Sequence, residues 1–192
     1  RLQVNAAVFS TRYTDIRLYF RPAIPQNIDN LGNARIRGFE IAANAAPGGG
    51  FSLQASLGYL DARYTSVLAP AQVAPSPYQD GVFAGAPLPK APDWKFNVSP
   101  RFEIPIGSGS AVFLADWTHT TSLRNDTEGT ILLNRPTTDM VNASVTFNGP
   151  SNYSLTFGGT NLTNDRYLVT GQFQGAGGGV QRAQRRIAHA AA

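Results

Sequence analysis

Apolar and polar residues alternate with period two along seven stretches of this chain, and the connections between them are by turns short and long. The clearest stretch runs from Trp94 to Ile104. Trp94, Phe96, Val98, Phe102 and Ile104 share one face, while Lys95, Asn97, Ser99, Arg101 and Glu103 share the other. Successive side chains on a strand point to opposite sides, so this segment reads as a strand apolar on one face and polar on the other.

The same rhythm predicts six more strands. The first covers about Leu2 to Tyr19, with Leu2, Val4, Ala6 and Val8 on one face. A loop of turn-forming residues, 21–30, leads to a second strand over about Leu31 to Ala45, where Phe39, Ile41, Ala43 and Ala45 alternate with Glu40, Ala42 and Asn44. Pro47-Gly48-Gly49-Gly50 is a tight turn into the third strand, Phe51 to Thr65. The longest connection, about Val67 to Pro87, precedes the Trp94 strand. Ile106-Gly107-Ser108-Gly109 turns into a fifth strand, Ser110 to Ser122. A polar loop, Leu123 to Pro136, leads to a sixth strand with Val141, Ala143, Val145 and Phe147 on its apolar face. After a turn at Asn148–Ser151, the seventh strand starts at Tyr153 and is expected to reach about Tyr167.

Composition decides what the two faces meet. Of 192 residues, 42% are hydrophobic and only 15% charged, against roughly 25% charged in an ordinary soluble domain. The polar face carries mostly Ser, Thr, Asn, Gln and Gly rather than the Lys and Glu of a face open to bulk water. The apolar face ends in aromatics, with Tyr59 and Trp117 toward the long loops and Phe51, Phe147 and Tyr153 toward the short turns. Aromatic girdles, short turns at one end and long loops at the other are the marks of an outer-membrane β-barrel. No apolar run approaches the ~20 residues of a membrane-crossing helix, but barrel strands need only ~9–11 residues each.

The absence of cysteine excludes disulfides, thiolate metal sites and thiol nucleophiles. The chain opens in strand pattern without a signal peptide, which reads as a mature chain or a fragment, with a fragment favoured. The net charge of +4 does not indicate a nucleic-acid partner: three arginines crowd the last turns (Arg182, Arg185, Arg186) and the rest are scattered. Asp116 and His119 are three apart on a strand, on opposite faces, and make no dyad there. The glycines at 175–179 lack the strand and helix of a phosphate cradle. No catalytic, cofactor-binding or metal-binding residue is therefore assigned, no cofactor is expected, and the chain does not read as an enzyme.

Four motifs then carry a resemblance to TonB-dependent outer-membrane receptors. Asn33-Ala34-Arg35-Ile36-Arg37-Gly38-Phe39-Glu40 resembles a barrel-strand signature of that family. Leu57-Gly58-Tyr59 followed by Tyr64-Thr65 is similar to its next strand, and Leu88-Pro89 through Pro92-Asp93-Trp94 to the entry of the strand after that. Asn161-Leu162-Thr163-Asn164-Asp165-Arg166-Tyr167 resembles the element before the family's final strand. The order and spacing of the four are the family's. Gly38 would leave room in a curved wall. Glu40 falls on the lumen-facing parity, either a solvated wall residue or a partner for an arginine of the neighbouring strand or of a plug.

The resulting expectation is an all-β chain, an antiparallel meander of about seven to eight strands forming part of a transmembrane β-barrel. Residues 1–180 would be a C-terminal barrel segment and 181–192 an irregular tail, disordered or weakly helical. Its loss of pattern after Gly179 reads as a frameshift or truncation, because the family closes on a strand ending in an aromatic. The resemblance implies a whole barrel of about 22 strands around a plug. It also implies a location in the outer membrane of a Gram-negative bacterium. There the whole protein would take up a siderophore, cobalamin or a glycan with energy from TonB. The expected partners are outer-membrane lipid, the remaining strands, the plug with the TonB system, and a small ligand met by loops 21–30, 68–87, 123–136 and 168–180. A small stand-alone β-barrel or β-sandwich acting as an adhesin or binding protein is the alternative reading, and an eighth strand would distinguish it.

Overall fold

The computed structural model describes residues 1–20, 27–150, 153–170 and 186–187. Seven strands form one antiparallel sheet in sequence order: β1 (Leu2–Phe20), β2 (Asn27–Gly48), β3 (Phe51–Val67), β4 (Trp94–Ile106), β5 (Gly109–Thr120), β6 (Thr138–Asn148) and β7 (Ser154–Gly159). Two short strands, β8 (Leu168–Thr170) and β9 (Arg186–Ile187), pair separately. The seven-strand meander is the architecture expected from the alternation. It does not close on itself: β1 pairs with β2 and β7 with β6, leaving both at the sheet's edges among the described residues.

Register turns the alternation into rows. At the short-turn end, Phe51, Phe102, Phe113, Val145 and Phe157 stand directly opposite one another across five strands. At the long-loop end the corresponding row is Val8, Phe39, Tyr59 and Trp94. Its rings touch, with Tyr59 and Trp94 centroids 4.7 Å apart and Phe39 and Trp94 edge to face at 5.9 Å. Eight residues of β3 separate the rows, about 26 Å along a strand before tilt, matching the ~25 Å apolar band of a barrel wall. Between them no other layer covers the apolar face among the described residues: Val4, Ile41 and Trp117 are exposed, and Leu53, Leu57 and Val98 are half-buried by their neighbours in the sheet.

Two-residue turns join β2 to β3 and β4 to β5 at one end. Gly49 and Gly50 link β2 to β3 with φ of +64° and +80°, a left-handed conformation that L side chains resist. Gly38 answers a different need. A Cβ there would lie 2.1 Å from the Tyr59 carbonyl oxygen and 2.9 Å from the Phe9 ring, so the glycine admits Phe9 against the polar face of the wall.

Boundaries differ from expectation in three places. The pairing of β1 with β2 continues through Phe20 and Asn27, so Asn27–Asn30 belong to a strand rather than to the 21–30 loop. Residues 21–26 lie outside the described residues. The seventh strand ends at Gly159, not near Tyr167, because Asn161 and Asn164 take φ of +50° and +53° and turn the chain out of the sheet. Third, bulges interrupt the register of β1 between Tyr13 and Ile16 and of β2 with β3 beyond Ala34. Of the tail, only Arg186 and Ile187 are described, and they pair with Thr170 and Leu168.

Candidate functional site

Beyond the girdle, β3 and the β3–β4 connection build a core that the alternation alone does not announce. Tyr64, Ala34 and Ala62 stand on the polar-face parity, yet each is 5% exposed or less. The connection folds back over them. It begins with a 3-10 turn at Ala69–Ala71, and Val73 and Val82 then pair through reciprocal N–H to carbonyl bonds of 2.9 and 2.8 Å. Ala71, Val82 and Ala86 complete a cluster with Ala34, Tyr64 and Val67. Further on, Ala86 accepts from the Tyr64 N–H, Leu88 donates to Ala62 and Asp93 accepts from Leu60, so the return segment extends the wall above β4.

The β5–β6 connection locks onto the first. Asp80 and Gly81 donate backbone N–H groups to the Gly129 and Glu128 carbonyls at 2.9 Å, and Ile131 donates to Tyr78 at 3.0 Å. The Arg124 guanidinium pairs with Asp80 at 3.3 Å and donates to the Gly81 carbonyl at 3.0 Å. Asp126 holds its own loop closed by accepting from the Thr130 N–H at 2.8 Å. Asn125 is buried and donates to the Leu133 and Leu168 carbonyls, which ties in β8. The Lys90 ammonium donates to the Asn125 side chain and to the Val169 carbonyl. The Arg135 guanidinium lies 3.7 Å over the Tyr167 ring.

Burial, with Arg135 second, pulls the Lys90 ammonium below its ordinary pKa, while Asp126 opposes the shift. Burial likewise pulls down Arg124, against the pull of Asp80. Cations drawn partly out of water in this way are held by neighbouring acids and carbonyls. The cap's outer surface is apolar: Tyr78, Leu132, Ile131 and Phe83 are 41–76% exposed. The cap is thus a hydrogen-bonded support that displays aromatic and aliphatic groups beside half-buried Arg124 and Arg135.

Two of the four loops expected to meet a ligand, 68–87 and 123–136, are brought together here. Leu168–Thr170 joins them through Asn125 and Lys90, while 171–180 lies outside the described residues. Lys90 and Tyr64 had carried no functional expectation. The density of Pro, Gly and Asp in the loops was visible, but which loops would touch was not.

Two wall features complete the picture. Glu40 faces the polar side, in one row with Gly58 and Lys95, and forms no ion pair among the described residues. Asp116 accepts from Asn97, Ser99 and Asn142 across three strands, a polar network on the same face. His119 finds its acid on β6 rather than in Asp116: its Nδ1 lies 2.8 Å from Asp139, which also accepts from Trp117.

The architecture is that of an outer-membrane barrel wall: a meander with an apolar outer face bounded by aromatic rows, a polar inner face and a loop cap at one end. The chain belongs to the TonB-dependent receptor-like β-barrel family, which matches residues 1–162. Among solved structures it is similar to the siderophore receptor PiuA from Acinetobacter baumannii, with 19% identity and a TM-score of 0.67 over 88% of this chain and 23% of that one. The ferric yersiniabactin uptake receptor FyuA from Yersinia pestis gives 17% identity and a TM-score of 0.75 over 98% and 26%. The ferric-catecholate import receptor Fiu from E. coli K12 gives 14% and 0.61 over 97% and 24%. The chain therefore spans about a quarter of the length of these structures. No curated protein matches it.

Proposed function

We propose that this chain is wall and loop cap of a ligand-gathering receptor in the outer membrane of a Gram-negative bacterium, and that residues 1–180 are a C-terminal segment of its barrel. In this reading the remaining strands pair with the edges of β1 and β7, and a plug fills the space bounded by the polar face. TonB supplies the energy that moves the plug. The observation that carries the reading is the cap, in which loops 68–93 and 121–137 are joined by backbone bonds and fold over the polar face beyond the upper aromatic row. A loop layer so braced holds a binding surface in place at low entropic cost.

The ligand class we favour is a ferric siderophore. Its support is the exposed aromatic and aliphatic apex beside half-buried Arg124 and Arg135, suited to a ligand that joins apolar rings to anionic iron-chelating groups. The similar structures, a siderophore receptor, a ferric yersiniabactin uptake receptor and a ferric-catecholate import receptor, point the same way. Cobalamin and glycans are the competing ligands.

Uptake of ⁵⁵Fe on a panel of purified siderophores, in cells carrying the gene and in matched cells lacking TonB, tests this. Accumulation of one siderophore that disappears without TonB is the expected result. TonB-independent accumulation would overturn the transport reading. TonB-dependent uptake of cobalamin or a glycan, with none of iron, would overturn only the ligand class.

A further inference from the structure

Register places a second feature on the outer, apolar face, just beyond the upper aromatic row. Moving up from Val8, Phe39 and Tyr59, the next row is Ser10, Arg37 and Asp61, and the one after it is Arg12, Arg35 and Arg63. Three arginines thus stand directly opposite one another on three adjacent strands, about 4.8 Å apart per strand. Asp61 is the single acid among them. It is 11% exposed and accepts from Arg37 at 2.9 Å and from Arg63 at 2.8 Å. Arg12 and Arg35 form no ion pair with any described residue. Four arginines against one aspartate leave a net charge of +3 on one side of the wall.

Like charges directly opposed across strands are destabilising, so this row is expensive without an anion. Its position says which anion. The two rows begin about 7 and 14 Å along the strand beyond the aromatics, and girdle aromatics sit at headgroup level. Guanidinium groups bind phosphate oxygens in pairs; Asp61 orients Arg37 and Arg63 through their Nε atoms, and Arg63 also donates to the Gly85 carbonyl at 3.2 Å.

We propose that Arg12, Arg35, Arg37 and Arg63 form a docking surface for the phosphate-bearing headgroups of outer-leaflet lipid. The lipid would neutralise the row and fasten β1–β3 at a fixed depth, independently of the ligand taken up. The proposal rests on the outer-membrane reading above.

The test uses the protein extracted from membranes in non-ionic detergent and transferred to vesicles of phosphatidylcholine, with or without phosphatidic acid. Phosphatidic acid is expected to raise the unfolding midpoint by about 5 °C. The Arg12→Gln/Arg35→Gln variant should lose most of that rise, yet be at least as stable as the parent in phosphatidylcholine alone, because its repulsion is gone while the Asp61 clamp on Arg37 and Arg63 is kept. If the double variant does not fold, Arg35→Gln should lose part of the rise. Arg101→Gln, on the opposite face, should keep all of it. An equal rise in the variants overturns the proposal. So does a rise reproduced by inorganic phosphate, which would mark a free-anion site. Failure to float with either vesicle overturns the outer-membrane reading and the proposal together, whereas insertion without lipid discrimination overturns the proposal alone.

Discussion

Gly38 shows how a single position answers to both neighbouring strands at once. The Tyr59 carbonyl and the Phe9 ring occupy the space a side chain would need, so Gly38→Val should destabilise by about 1–3 kcal/mol, the range for overpacking. Gly58→Ala is the comparison: its Cβ would meet nothing nearer than 3.8 Å and should be tolerated. Urea unfolding in detergent, followed by tryptophan fluorescence, reads both, and equal stability of the two variants would refute the packing argument. Asn161 is the second instructive residue. Its backbone sits at φ +50°, its N–H donates to Asn142, and its side chain bonds both the N–H and the carbonyl of Asp165. Asn161→Ala loses the side-chain bonds and strains the backbone, for roughly 1–2 kcal/mol. Asn161→Gly should recover only the backbone part. Hydrogen exchange over 160–167 would check the ranking, and an unprotected parent segment would contradict it. The motif around Asn161 was legible as a resemblance. Its work, fastening the chain leaving β7 onto β6, was not, because its anchor, Asn142, lies on another strand.

At the scale of elements, alternation located all seven strands, since the direction of a side chain from a strand depends only on local geometry. Ends were harder to place. Asn27–Asn30 look like turn residues and are recruited into β2 because β1 offers them partners as far as Phe20. The loops behave as one element despite lying 30 residues and more apart in sequence. Arg124 binds both Asp80 and the Gly81 carbonyl, and Asn134 donates to the same Asp80 at 3.1 Å. Asp80→Ala should therefore loosen both loops together. Limited proteolysis of the membrane-embedded protein is the measurement, with faster cleavage expected within 121–137 as well as within 68–93. Acceleration confined to the first loop would mean the two are independent.

For the molecule as a whole, the edges of β1 and β7, unpaired among the described residues, and the exposed apolar face dominate behaviour in water. Unpaired edges template further strands, and Leu2, Val4, Val8, Leu155 and Phe157 are all more than half exposed. Expressed by itself, this chain is expected to aggregate without detergent. A monodisperse product that unfolds cooperatively in aqueous buffer, seen by light scattering and thermal melting, would count against a barrel wall. What the sequence by itself determined is therefore the class of structure: period two, the two contrasting faces, the aromatic ends and the alternation of short and long connections are all written within single segments. Only the tertiary structure decided which residues become neighbours. The Arg12–Arg35–Arg63 row, the clamp of Asp61 on Arg37 and Arg63, the His119–Asp139 pair and the joined loops depend on register and on chain segments tens of residues apart. No local pattern encodes those distances, because a strand's faces are set by its own backbone but its partners are set by how the whole sheet aligns.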